Sequence, residues 1–157
     1  MNAQTIGIDY TAAVRQSAGI GRYTREIVQA LARQVGPDDG LHFRLFAAQT
    51  SPGAVPSPGA AFSVHTTRLT ERWLARLWYR LELPLPVELW TGRLDLFHQP
   101  DFFLPPTRAG VRTIVTVHDL SFVREPDSVM PGMSRQLNTW VPRSVARADH
   151  VIAVSEA

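Results

Sequence analysis

The chain contains no cysteine and no lysine. Without cysteine there can be no disulfides, thiolate nucleophiles or cysteine-based zinc sites, and the redox compartment stays undetermined. Without lysine, all 16 basic residues are arginine, set against 14 acidic residues for a net charge of only +2. The pI of 9.7 follows from that absence, because between pH 7 and about 10 only three tyrosines, the terminus and residual histidine remain to titrate. The high pI is therefore not read as a nucleic-acid footprint, and no nucleic-acid partner is expected. No apolar run approaches the roughly 18 residues of a membrane span, and Met1 to Asp9 has no basic region leading into an apolar one, so neither a visible secretion signal nor a transmembrane segment is expected. Charge is sparse at 19%, and glycine and proline are 10 and 12 residues of 157. That composition suits one folded domain with its own core better than a disordered chain.

Apolar runs alternate with helical patterns. Strands are expected at Thr5 to Asp9, Phe43 to Ala47, Phe62 to Thr66, Asp95 to His98, Thr113 to His118 and His150 to Val154. Helical spacing runs from Arg22 to Gln34, where Gly36 and Pro37 stop it, and from about Thr70 to Leu83. A Pro-bounded turn follows at Pro86 to Trp90, then a helix over Ser134 to Ala146 with a kink or break expected at Pro142. Gln49 to Ala60 carries three prolines and two glycines and reads as a surface loop. Such alternation predicts an α/β, Rossmann-like fold: a mostly parallel sheet with helices on both faces. Ligands then collect beyond the carboxyl ends of the strands, which singles out Asp9, His98, His118 with Asp119, and Ser155 with Glu156. Polar strand ends also arise simply by meeting solvent, but an imidazole closing the buried β-branched strand before His118 is an unusual choice for that purpose.

Three constellations carry chemistry. Gly19, Ile20, Gly21, Arg22 and Tyr23 lie between the first strand and first helix, where two glycines allow close backbone approach to a ligand, or else form a flexible loop. The match to a dinucleotide fingerprint fails, because Thr24 takes the third glycine position and the loop starts ten residues beyond Asp9. Arg68, Arg72, Arg76 and Arg80 recur every fourth residue as a slowly winding helical stripe, beside an apolar side that includes Trp73 and Trp78. This describes either a helix lying on anionic lipid or a core helix with a solvated arginine face. Hydrolase readings are weak, since no Gly-x-Ser-x-Gly elbow is present and His118 and Asp119 point to opposite faces of a strand. A metal site from Asp9, His98 and His118 is open geometrically if their strands adjoin, but no His-rich helical spacing supports it.

Thr113-Ile-Val-Thr-Val-His118-Asp119-Leu120 resembles the strand ending in His-Asp-Leu of the retaining group 1 glycosyltransferases, glycosyltransferase family 4. Ala148-Asp-His-Val-Ile-Ala-Val-Ser-Glu156 is similar to that family's Ala-Asp-x-Val-Ile-Ala-Val-Ser segment. The loop from Gly19 to Tyr23 and the strand Asp95-Leu-Phe-His98 fit the family's order and spacing. The resemblance implies the N-terminal, acceptor-side half of a GT-B enzyme spanning residues 1–157 and cut before its last helix and strand, with the C-terminal donor-binding domain absent. It implies transfer of a hexose from a nucleotide diphosphate sugar to a hydroxyl of a glycan, lipid or small-molecule acceptor, with the fragment inactive alone and no cofactor needed. His118 would contact the transferred sugar, the Gly19 to Gly21 loop with Ile20 and Arg22 would admit donor phosphate or acceptor, Asp119 would polarise the following turn, and His98 and Asp101 would lie on the acceptor side. A cytoplasmic location, peripheral at the inner face of the membrane, goes with that reading. The competing expectation is a non-catalytic Rossmann-like module that binds a ligand or docks on a membrane.

Overall fold

The computed structural model describes residues 3–17, 19–36, 38–118, 120 and 131–154, the side chains of the last segment from residue 134 onward. Six strands form one sheet in which every pairing is parallel: β1 (Gln4–Asp9), β2 (Leu41–Ala47), β3 (Phe62–Thr66), β4 (Leu96–Gln99), β5 (Arg112–Val117) and β6 (His150–Ala153), in the order β3-β2-β1-β4-β5-β6. The order reverses beside β1, so the chain leaves β1 toward one edge and later returns to β4 on its other side. Between those strand ends lies the crevice where open parallel sheets hold ligands.

Side-chain alternation explains how the sheet is covered. Ile8, Phe43 and Leu45 point to one face and pack with Val28 and Phe62, under α2 (Ile20–Gln34). Phe46 and Phe97 point to the other, with Leu74, Trp78 and Val87 from α3 (Glu71–Ala75), the π-helical turn Arg76–Arg80 and the residue before α4 (Glu88–Thr91). Burying large apolar side chains, each contributing about 1.5 to 3 kcal/mol, on both sides makes the sheet a central layer. A smaller cluster joins Phe102 to Leu137 and Val141 of α5 (Pro131–Arg147).

Three details depart from expectation. A short helix α1 (Thr11–Arg15) occupies what reads as loop after β1. The helix expected to about Leu83 ends as a π turn, closed by Leu81 N–H donating to the Arg76 carbonyl at 2.8 Å. Finally, of the kink or break expected at Pro142, the break does not occur, since α5 runs through that residue. Among the described residues, no helix is long and apolar enough to cross a membrane.

Candidate functional site

Two neighbouring features occupy the carboxyl edge of β1, β4 and β5. The first is centred on His118, which follows the end of β5. Its Nε2 lies 2.7 Å from the Pro100 carbonyl. A carbonyl can only accept, so Nε2 carries a hydrogen, and Nδ1 is the ring nitrogen not committed to that bond. Tyr23 meets the imidazole edge to face at 4.8 Å, and Phe102 does so at 5.9 Å. The fold thus brings together the glycine loop, which supplies Tyr23, the segment after β4 and the histidine after β5. These are three of the stretches singled out in the sequence.

The two loop glycines serve different ends. Gly19 caps α2 with φ +58°, a conformation that L residues rarely adopt, and nothing lies within 4 Å of where its Cβ would be. Gly21 is buried against α1, where a Cβ would meet the carbonyls of Ala12 and Gln16. Close approach at Gly21 is therefore to the chain's own backbone. Arg25 fixes the segment before the loop by donating to the carbonyls of Ala13 and Gln16 at 2.6 Å and of Ser17 at 2.7 Å. Arg22 is exposed and Ile20 half-buried.

The second feature is a cavity of about 270 Å³ between this edge and α3. Its walls include Phe46, Leu74, Trp78, Tyr79 and Phe103, and its polar floor is Asp9, Gln99 and Asp101. Burial pushes the Asp9 carboxyl up to about 6, against hydrogen bonds from Thr11 and Gln99 and with help from the Asp101 charge. Burial also raises Asp101, countered by the Phe102 amide, which donates to its Oδ1 at 2.6 Å. The Tyr79 hydroxyl is raised well above its usual value by burial and then by both aspartates. Gln99 is 5% exposed and its Oε1 has no hydrogen-bond partner. An orphaned buried oxygen in a pocket wants a donor that the protein itself does not supply.

Other expected site residues are placed elsewhere. His98 lies within β4, buried, its Nε2 3.0 Å from Thr116 Oγ1, and burial pushes its pKa down to about 4. It is a neutral strut between β4 and β5 and does not line the cavity. Trp78, expected on the lipid side of the arginine helix, is instead 7% exposed, packed on Trp90 and Phe46 and donating Nε1–H to the Leu85 carbonyl at 2.8 Å. The physical reason is helical spacing, since Trp78 follows the buried Leu74 by four residues and so faces the sheet, while the wider register of the π turn brings Tyr79 round beside it. Trp73 stays outside, 53% exposed with the Arg76 guanidinium 5.0 Å over its ring, and Arg68, Arg72, Arg76 and Arg80 are all exposed. Asp119, Ser155 and Glu156 lie outside the described residues. Among the described residues, no three histidine, aspartate or glutamate side chains gather as a metal site.

Gln99 and Tyr79 escape sequence reasoning. The signal for Gln99 was a polar side chain two positions from Phe97 on the face that meets the core. Tyr79 carried none, because α-helical spacing does not group it with Trp78.

Neither a curated protein nor a solved structure gave a match to the chain. The model of the glycosyl transferase 4-like domain family does match, over residues 18–157, which takes in the glycine loop, the cavity's Gln99 and Asp101, and His118. With that match covering most of its length, this Rossmann-like chain belongs to the glycosyl transferase 4-like domain family.

Proposed function

We propose that the chain is the N-terminal, acceptor-side half of a retaining glycosyltransferase of GT-B architecture, moving a hexose from a nucleotide diphosphate sugar to an acceptor hydroxyl. The observation that carries this reading is the meeting of the glycine loop, the segment after β4 and His118 at one sheet edge, beside a cavity with a polar floor and aromatic walls. The acceptor sits in that cavity. His118, its Nε2 held by Pro100, offers Nδ1 to the sugar in flight, where a fixed hydrogen-bonding group is worth most as charge develops. The donor nucleotide is held mainly by a second domain, and the chain alone is inactive because both walls of the cleft are needed to position the reactants.

In the protein carrying both domains, His118→Ala should lower kcat and kcat/KM together by about one to three orders of magnitude, with donor KM little changed and the fold intact. Normal turnover by a folded variant would remove His118 from the reaction.

A second reading concerns the outer face of α3 and the π turn. Trp73 at 53% exposure and Leu81 at 60% stand beside four exposed arginines, while Glu71, the acid among them, is paired with Arg15 at 2.7 Å. That surface docks on anionic lipid, which sets the protein in the cytoplasm at the inner face of the membrane. Co-sedimentation with vesicles should rise with acidic lipid, fall with salt and drop several-fold on Arg72→Gln, Arg76→Gln and Arg80→Gln together. Sedimentation unchanged by the triple substitution would make the face an ordinary solvated one.

A further inference from the structure

The floor and rim of the cavity differ in what they offer a ligand. Every hydroxyl at the floor is already engaged: Tyr79 donates to the Phe103 carbonyl at 2.8 Å and Thr24 to the Ile20 carbonyl at 2.8 Å, while Thr11 Oγ1 accepts from the Ala48 amide at 3.0 Å and bonds the Asp9 carboxylate. Asp9 Oδ1 takes the Thr11 amide at 2.8 Å. What stays available at the floor is acceptor capacity: the orphaned Gln99 Oε1 and the carboxylates of Asp9 and Asp101, whose charges act on one another. The donors Gln16, Arg72 and Gln136 line the same cavity, but all three are exposed and stand at its rim.

We infer that the ligand of this cavity presents a protonated amine to the floor formed by Asp9, Gln99 and Asp101, and lays an apolar ring face against Trp78 and Tyr79. An ammonium has three donors and no acceptor, so it can meet all three floor oxygens at once and neutralise the negative charge gathered there. A neutral hydroxyl has one donor, so it meets only one of the floor oxygens at a time and leaves the two carboxylates opposed. The aromatic walls suit the same ligand, since ring faces attract a cation and cover its apolar body. This inference rests on the acceptor-side reading and narrows it to amine-bearing acceptors.

The charged and titratable groups acting on the floor come from every element around it. Glu71, paired with Arg15, and Arg72 stand on α3, Tyr79 stands on the π turn with Arg147 of α5 acting on it, and His118 acts on Asp101 from the end of β5. Tyr79 is neutral throughout the working range. Asp9, with a pKa of about 6, therefore loses most of its charge by pH 5 and keeps it at pH 8.

The test is a pair of ring compounds differing in one group, trans-4-aminocyclohexanol and trans-1,4-cyclohexanediol, titrated against the chain by NMR with the indole signal of Trp78 as reporter. The amine is protonated at both pH 5 and pH 8. At pH 8 it should bind about tenfold or more tighter than the diol. That preference should shrink several-fold at pH 5, and also in Asp9→Asn at pH 8, with Asp101→Asn as a second variant should the first not fold. Equal or tighter binding of the diol, with the Trp78 signal shifted, would overturn the amine and leave the acceptor cavity standing. If neither compound moves Trp78, the amine and the acceptor assignment fall together.

Discussion

Among the described residues, aspartates stand at both ends of this sheet, and the two ends treat them differently. Asp95 and Asp149 precede β4 and β6 at the amino end. Asp95 accepts from the Thr5 amide at 2.8 Å, and Asp149 accepts from the Thr113 amide at 2.7 Å and its hydroxyl at 3.0 Å. Each thereby clasps the start of the adjacent strand, and the Thr113 amide holds the Asp149 carboxyl below its usual range. Asp9 and Asp101 lie at the carboxyl end, and both are raised by burial. The contrast follows from the sheet being parallel. Strand starts present free N–H groups that satisfy a carboxylate, whereas strand ends present carbonyls that cannot. Carboxylates at the amino end consequently serve the fold, and those at the carboxyl end keep acceptor capacity for something else.

The largest disturbance of the carboxyl end should come from Gly21→Ala. Its Cβ would meet backbone carbonyls of Ala12 and Gln16, which cannot swing aside as a side chain would. Overpacking of this kind costs about 2 to 3 kcal/mol. Gly19→Ala, with open space but an unfavourable φ, should cost about 1 kcal/mol. Urea unfolding checks both. Equal losses would mean that the two glycines are needed for the same conformational reason and that α1 is not seated on α2 as described.

Next in size is Asp9→Asn, and its sign is unusual. Folded Asp9, at about 6, holds its proton more tightly than an unfolded aspartate near 3.8. Its burial thus costs nothing below about pH 4 and destabilises progressively as the pH rises to about 6. That difference would amount to about 3 kcal/mol for a wholly enclosed group, and the half-buried position reduces it to about 1 to 2 kcal/mol. At pH 8 Asp9→Asn should be more stable than the parent by that amount, and the gap should close near pH 4. His98 opposes Asp9 over much of the same range. Its folded value of about 4 lies below the ordinary 6.5, so stability is lost as pH falls through that window. The parent should be nearly flat between pH 6 and 4, and Asp9→Asn should expose the His98 slope. A destabilised Asp9→Asn at pH 8 would mean that the carboxylate is satisfied after all.

Much of this contrast could be read from sequence, and the part that could not has a common cause. The β-branched run before His118 and the polar residue closing β1 are local signals, so the strands and the carboxyl-edge residues Asp9 and His118 were visible. The clasps made by Asp95 and Asp149 were not, because their partners lie 90 and 36 residues away. Helical spacing groups Trp78 with the arginine helix and gives no role to Tyr79, which the π turn brings round beside it. Gln99 lies one residue past the strand expected from Asp95 to His98, and its side chain is engaged by Asp9 of the distant strand β1 while its Oε1 is left without a partner. Strand existence is encoded locally, whereas the state of a polar atom depends on which distant donors the topology supplies.

The smallest expected effect is the sharpest check on that account. Asp149→Asn keeps the shape and one acceptor oxygen but removes the charge that strengthens the bonds from Thr113. Because the folded carboxyl lies below its usual value, its contribution is present above about pH 4 and is lost as pH falls through the lowered pKa. Asp149→Asn should accordingly be slightly less stable than the parent at pH 7 and indistinguishable from it at low pH. This is the opposite sign to Asp9→Asn at neutral pH, from the same substitution in the same sheet. Thermal melts of the two variants across pH 3 to 8 measure both signs, and if Asp149→Asn were stabilised at pH 7 as Asp9→Asn is at pH 8, the difference between the sheet's ends would not lie in the supply of strand donors.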